Sequence, residues 1–465
     1  MLNNIPTQDE IEQSLETDTN PKNRRHIKVC EINHRNNLDS DYTEKMESLE
    51  KSFDYASNSN YYWSEPGLSI LYGTPLYAEA SPAQKLALNH LYWTAQYDYI
   101  AASESSVIHY NQVTSGVFKY FGDYETLCST LDLETEQEYT HIHAFQKVSH
   151  KIKTALFGKG LLTSYLQKSN HGNFHKKPLA NSLSQIFNIN PGKSSPTDLQ
   201  YRALRFINKM MLHNANYCYS TYLQELEIKG NVIPPIKGYI GSSVPLPLQK
   251  FLTFNWGSSP FLACQHYIYR FTANLALKNY EYRYTKYFRD LEKQGEFIPV
   301  PTAISYYHLL DESFHTTTSQ LIGRDMYKDF SQPTAYEKLT SNVITYMIQK
   351  GLLGGLSGGI VSVFRADKNF VVYYYKLLRS PIFGMSHEDA IHWLEKCLCH
   401  EHEGFHINTK YHQRLHTDLC RLTSTLEYLW PINREMKIMV AGSSINNAIQ
   451  SNKKAFQEFS ASVAA

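Results

Sequence analysis

Seven side chains in this sequence have the types and spacing to hold metal: Glu104, Glu138, His141, Glu281, His308, Glu312 and His315. The tightest group lies in ISYYHLLDESFHTTTSQ, residues 304–320. His308 precedes Glu312 by four positions, and His315 follows it by three. At about 100° per residue, the three share one stripe of a helix. Their neighbours are apolar and aromatic, so the stripe is expected to face inward. A buried carboxylate flanked by imidazoles is costly unless a cation joins it. A divalent metal is the simplest answer.

Glu138 and His141 form a second E-x-x-H pair. The pattern occurs four times in the chain, and one occurrence alone carries little weight. Glu31/His34 lies in a polar stretch, and Glu403/His406 lies beside Gly404 in a His-rich segment, so both are set aside. The other two sit in long apolar patterns, each preceded by a mid-helix glutamate, Glu104 or Glu281. The order Glu, E-x-x-H, Glu, E-x-x-H matches the ligand set of ferritin-like di-iron bundles. Carboxylates neutralise two Fe2+/Fe3+ ions, and oxygen donors with imidazole suit iron, or manganese in its place. The bland alternative is polar residues paired locally on helix faces. Lys278 and Arg283 offer Glu281 such partners.

Helices must carry these groups. Ser81-Pro82 reads as a cap and first turn, opening a helix to about Phe118. Others are expected from Asp132 to Gly158, Thr197 to Glu227, Ser259 to Gly295, and after Pro301 to Gly323. Further helical patterns cover Thr334 to Lys350, Ser386 to Glu403, Thr409 to Leu429 and Ser444 to Ser460. Strand signals are sparse, and Gln167–Pro196 and Ile233–Pro247 read as loops. The expected fold is all-α: a di-iron helical bundle with a long helical and loop insertion and a helical C-terminal extension. Residues 1–58 read as a polar, flexible tail. The bundle spans 59–330 with its insertion at about 159–258, and the extension covers 331–465. Within two turns of a ligand, Tyr97, Ile108, Tyr284, Ile304 and Tyr307 are candidates to line a substrate pocket.

The ligand pattern resembles the AurF-type arylamine N-oxygenases. The carriers are His308 one turn before the second E-x-x-H, the Glu104–Glu138 and Glu281–His308 intervals, and the lead-in SILYGTPLY. The resemblance covers about Tyr61–Gly158 and Ser259–Gly323. It implies one iron on Glu104, Glu138 and His141 and another on Glu281, His308, Glu312 and His315, with Glu138 and Glu312 bridging. It also implies O2 as co-substrate, an external electron donor, and oxygen transfer to an amine nitrogen. The same ligands would serve hydroxylation, desaturation or C–C cleavage of an aliphatic or acyl substrate. A non-catalytic ferritin-like metal-binding protein fits less well, because His308 adds a third imidazole. The 139 residues between His141 and Glu281 exceed the compact family pattern.

Composition narrows the partners. Lys+Arg (45) and Asp+Glu (44) nearly cancel, so no strong field favours nucleic acid. The most apolar run, GLLGGLSGGIVSVF at 351–364, is too short to span a bilayer comfortably and is expected as a buried turn or packed segment. It lacks the Lys-Ser/Thr of a phosphate loop. Seven scattered cysteines without paired CxxC spacing suggest reduced thiols, hence a cytoplasmic protein. The polar N-terminus does not read as a signal peptide. A small-molecule substrate is expected, and a homodimer stays open. The His/Cys-rich segment 397–416 fits no standard zinc spacing and is expected to be solvated or locally hydrogen-bonded.

Overall fold

A computed structural model describes residues 25–158, 196–212, 217–229, 237–238, 241–242, 245–361, 366–440 and 444–464. The fold is all-α. The β pairing among the described residues is a two-residue antiparallel ladder, Lys237–Gly238 against Gly241–Ser242. The long helices are α1 (Arg25–Leu38), α2 (Tyr42–Ser52), α3 (Pro82–Phe121), α4 (Glu125–Phe157), α5 (Pro196–Leu212), α6 (Thr221–Ile228) and α7 (Leu246–Trp256). They continue with α8 (Pro260–Gln294), α9 (Val300–Arg324), α10 (Ala335–Leu353), α11 (Val371–Arg379), α12 (His387–Leu398), α13 (Glu403–Thr423) and α14 (Ile445–Ala464).

Two helical hairpins, α3–α4 and α8–α9, form the bundle. Their ends follow local chemistry. Ser81 and Gln84 make a reciprocal capping box at the start of α3, with Pro82 in the first turn. Ser259 accepts from the Leu262 amide and Pro260 follows, so α8 starts the same way. It stops at Gly295, whose φ of 67° is the left-handed conformation that favours glycine.

Two apolar clusters lie along this bundle. One holds Trp93, Tyr97, Ala101, Phe145, Tyr280, Tyr284 and Ile304. The other holds Phe118, Leu131, Cys264, Tyr267, Leu321 and Ile322. Each hairpin helix contributes to both, so the residues between them form a polar layer closed off above and below by apolar packing.

Residues 25–58 correct the expectation of a flexible tail, for they form helices docked on α4 and α9. Much of the docking is polar. Asn33 donates to the Phe314 carbonyl and Thr318 Oγ1, and Asn37 exchanges two hydrogen bonds with Gln137. A further difference is the helix expected over Thr197–Glu227, which is two helices, α5 and α6. Between them the Cys218 and Ser220 amides donate to the carbonyls of Ser258 and Gly257, so this strip follows the chain before α8 instead of coiling. Of the loop expected at 167–196, all but Pro196, which opens α5, lies outside the described residues; of that at 233–247, the described residues are the 237–238/241–242 ladder and 245–247, where α7 begins.

Of the Gly-rich run, residues 351–353 end α10 and residues 355–361 form a turn that is largely buried; 362–364 lie outside the described residues. The turn's anion is internal: Asp367 accepts from Ser357 Oγ, the Gly358 and Gly359 amides, Tyr374 and Asn452. Among the described residues, no helix is long and apolar enough to cross a membrane.

Candidate metal centre

Glu104 on α3, Glu138 and His141 on α4, Glu281 on α8, and His308, Glu312 and His315 on α9 all fall in the polar layer, none more than 7 % exposed. Six of them make two donor groups. One is Glu104, His141, His308 and Glu312; the other is Glu138, Glu312 and His315. Glu312 belongs to both, as a residue between two metals would. Its Oε1 is 2.9 Å from His315 Nδ1, 3.8 Å from His308 Nε2 and 3.9 Å from His141 Nδ1.

Glu281 is in neither group. Its Oε1 sits 2.7 Å from His308 Nδ1 and accepts from Tyr97 Oη at 2.8 Å. His308 turns its other nitrogen to Glu104, 3.2 Å away. The other imidazoles repeat this arrangement. His141 faces the glutamates with Nδ1 and places Nε2 3.0 Å from Asp311 Oδ2. His315 faces Glu138 and Glu312 with Nδ1 and meets Gln137 and Asp311 with Nε2. Each ring thus offers one nitrogen inward while a carboxylate or amide steadies the other, the usual setting of a metal-bound histidine.

The electrostatics ask for cations. Glu104, Glu134, Glu138, Glu281, Asp311 and Glu312 are six buried carboxylates, with Arg270 as a buried guanidinium among them. Arg270 binds Glu134 and, at 2.9 Å, Glu138. Burial pushes Glu104 up to about 7 against its hydrogen bond from His308. Desolvation opposes charge on His141, yet the neighbouring Asp311 and Glu138 carboxylates push it up to about 9. Desolvation also opposes charge on His308 and His315, while Glu281 and Glu312 respectively carry them well above the ordinary imidazole value. Glu104 Oε2, Glu138 Oε2 and His141 Nδ1 are buried without a hydrogen-bond partner among the described residues. Oxygen-rich donors with three imidazoles, lone pairs unmet and negative charge in excess, fit two divalent ions.

A cavity of about 230 Å³ reaches this layer. Glu104, Glu138 and Glu312 stand at its inner wall, and Ile100, Val107, Ala273, Leu277, Ile348 and Leu352 give much of its apolar lining. None of the pocket candidates Tyr97, Ile108, Tyr284, Ile304 and Tyr307 lines it. Tyr97, Tyr284 and Ile304 instead pack in the apolar cluster beside the centre, with Tyr307 against it. Ile100 and Leu277, which do line it, are one turn before Glu104 and Glu281, so helical spacing alone does not separate cavity-lining residues from core residues.

Sequence reading also missed Asp311, Gln137 and Arg270. Asp311 is one turn before His315, and Arg270 is three turns before Glu281, so helical spacing was the available signal. The His-rich segment holds no metal group among its described residues. His402 meets the Cys397 carbonyl and caps α13 at Gly404, His406 pairs with Glu401, and His412 bonds the Gly355 carbonyl.

The family model described as acyl halogenase, CylC-like, matches residues 25–460. No curated protein and no solved structure matches the chain.

Proposed function

The chain belongs to the CylC-like acyl halogenase family, and on that premise we propose that it is an O2-dependent dimetal enzyme that halogenates an aliphatic carbon of an acyl substrate. The observation that carries this reading is the apolar cavity ending on Glu104, Glu138 and Glu312. An acyl chain laid in it would have a C–H bond brought to the metal-binding carboxylates. Glu104, His141, His308 and Glu312 would hold one iron, and Glu138, Glu312 and His315 the other. When bound, the metal pair supplies O2 reduction and the oxidising power to break that bond. The residues of the chain hold and orient it. Arg270 fixes Glu138, Asp311 steadies His141, and Glu281 steadies His308. The apolar walls keep bulk water from the reacting carbon.

Nitrogen oxidation of an arylamine is the second reading, supported by the order and spacing of the donors. It would be helped by a cation free to anchor a substrate carboxylate. The cavity's guanidinium, Arg270, is already engaged by Glu134 and Glu138.

The test loads the full chain anaerobically with Fe(II), then supplies O2, an electron donor and a halide salt. Medium-chain acyl thioesters and aminoarenes are offered in parallel, and products are read by mass spectrometry. About two irons per chain are expected, one for each half of the bundle site. Halide-dependent mass and isotope shifts should appear on the acyl product. Glu312→Ala should lose most of the iron. Oxidised aminoarene with an unhalogenated acyl pool would overturn the halogenase reading, and full iron retention in Glu312→Ala would overturn the centre.

A further inference from the structure

Halogenating a C–H bond with halide and O2 consumes two electrons and three protons from outside as O2 becomes two waters. The donor layer lies between two apolar clusters, so those electrons need a way in. We propose that Tyr55, Trp63, Trp93 and Tyr97 form an electron relay from the protein surface to the metal centre. The inference rests on the dimetal reading above.

The four rings are in sequential contact. Tyr97 donates its hydroxyl to Glu281 at 2.8 Å and meets the His308 ring edge-on. Trp93 stacks on Tyr97 with ring centroids 4.4 Å apart. Trp63 meets Trp93 at 6.4 Å and 90°, and Tyr55 meets Trp63 at 6.0 Å and 79°. Trp63 and Trp93 are fully buried. Tyr55 is half-buried on the short helix Tyr55–Asn58, whose Ala56 and Ser57 are exposed. Tryptophan and tyrosine are the side chains most readily oxidised by one electron, so a line of them divides one long transfer into short steps. None of the four lines the substrate cavity, so the route does not compete with substrate for space.

Each tyrosine also has a place for its proton. Tyr97 faces Glu281. Tyr55 Oη lies 3.0 Å from His90 Nδ1, while His90 Nε2 lies 2.9 Å from the Tyr61 carbonyl. A carbonyl only accepts, so Nε2 carries the imidazole hydrogen and Nδ1 is free to accept from Tyr55. The His90 ring itself stacks on Trp63 at 3.9 Å.

The steps balance. Once bound and activated by O2, the metal pair would draw one electron from Tyr97, whose proton would shift along its hydrogen bond to Glu281. Trp93 gives an electron to the Tyr97 radical, which recovers its proton. Trp63 then reduces the Trp93 radical cation. Tyr55 reduces that of Trp63 and passes its proton to His90. An external one-electron donor reduces the Tyr55 radical, and His90 returns the proton. The net result is one electron moved from donor to metal, with no proton gained or lost by the relay.

The test mixes the anaerobically Fe(II)-loaded full chain with O2 and excess ascorbate in a stopped-flow instrument. The readout is decay of the transient visible absorption that O2 raises, with no substrate present. Trp93→Phe, Trp63→Phe and Tyr55→Phe should each slow this by an order of magnitude or more. Trp93→Tyr, which restores an oxidisable ring, should regain much of the rate. Trp256→Phe, in a separate cluster, should match wild type. Tyr55→Phe removes one half-buried hydroxyl, so it stays informative if a tryptophan variant folds poorly. Iron content is measured in each protein. Wild-type decay rates in iron-replete Trp93→Phe and Tyr55→Phe would overturn the relay alone. A wild-type chain that binds no metal pair would overturn the dimetal reading first.

Discussion

Arg270 is 4 % exposed, with one guanidinium nitrogen on Glu134 and another on Glu138. Removing one member of such a group leaves the others charged, buried and unpaired. Arg270→Met is therefore expected to lower the unfolding free energy of the metal-free protein by about 3–5 kcal/mol, read from urea titration. Adding Glu134→Leu should recover much of that loss, because the stranded charge leaves too. An equal loss in single and double variants would show that packing, not the ion pair, is responsible. Glu138, His141, Glu312 and His315, which the fold gathers into two groups able to hold metal, could be picked out in the sequence because helical spacing puts such pairs on one stripe. For Arg270 and Asp311, spacing gave a position near the stripe but not a role. Arg270 and Gln137 depend on partners on other helices, as does the contact of Asp311 with His141, and a lone polar residue in an apolar pattern does not name such a partner. Glu281 was found for the right spacing, but its nearest groups are His308 and Tyr97 rather than the shared carboxylates.

At the scale of elements, proline and cap residues marked where α3, α8 and α10 begin, since those signals act within one turn. The break between α5 and α6 left no such mark. It arises where the chain pairs with Gly257 and Ser258 and crosses α3 at Gly116. The first two helices were hidden for a related reason: Asn33 and Asn37 are buried by hydrogen bonds, and in sequence a buried asparagine looks like a solvated one. Gly116 lets the crossing happen. A Cβ there would sit 2.2 Å from Ser220 Oγ and 2.7 Å from the Tyr222 amide nitrogen. Ser220 also donates to the Val113 carbonyl at 2.8 Å, so it cannot swing away freely. Gly116→Ala should therefore cost about 1–3 kcal/mol, the usual penalty for overpacking. Hydrogen exchange should rise in α6, while iron content stays at the wild-type level because the donors on α3 and α4 are turns away. Loss of iron without faster exchange in α6 would contradict this assignment of the strain.

Across the whole molecule, the bundle buries ionisable groups that respond to pH in opposite senses. Burial lowers His90 and His109 to about 4 and His266 to about 3, so all three fold as neutral imidazoles. An unfolded histidine titrates near 6.5. Between that value and the folded one, the unfolded chain binds more protons, so stability is complete above about 6.5 and falls as pH drops toward 4. His109 tests this most simply. It lies apart from the donor groups and the relay, and its Nε2 meets Thr253 Oγ1 at 3.0 Å, a contact glutamine can also make. A shift of about 2.5 units corresponds to roughly 3 kcal/mol. In metal-free protein, Glu104 and His141 titrate as well, but they do so in both wild type and His109→Gln. The difference between the two urea titration curves isolates the imidazole. From pH 6.5 to 4, His109→Gln should gain on wild type by about 3 kcal/mol. A difference that does not move with pH would mean that His109 is not held neutral by the fold.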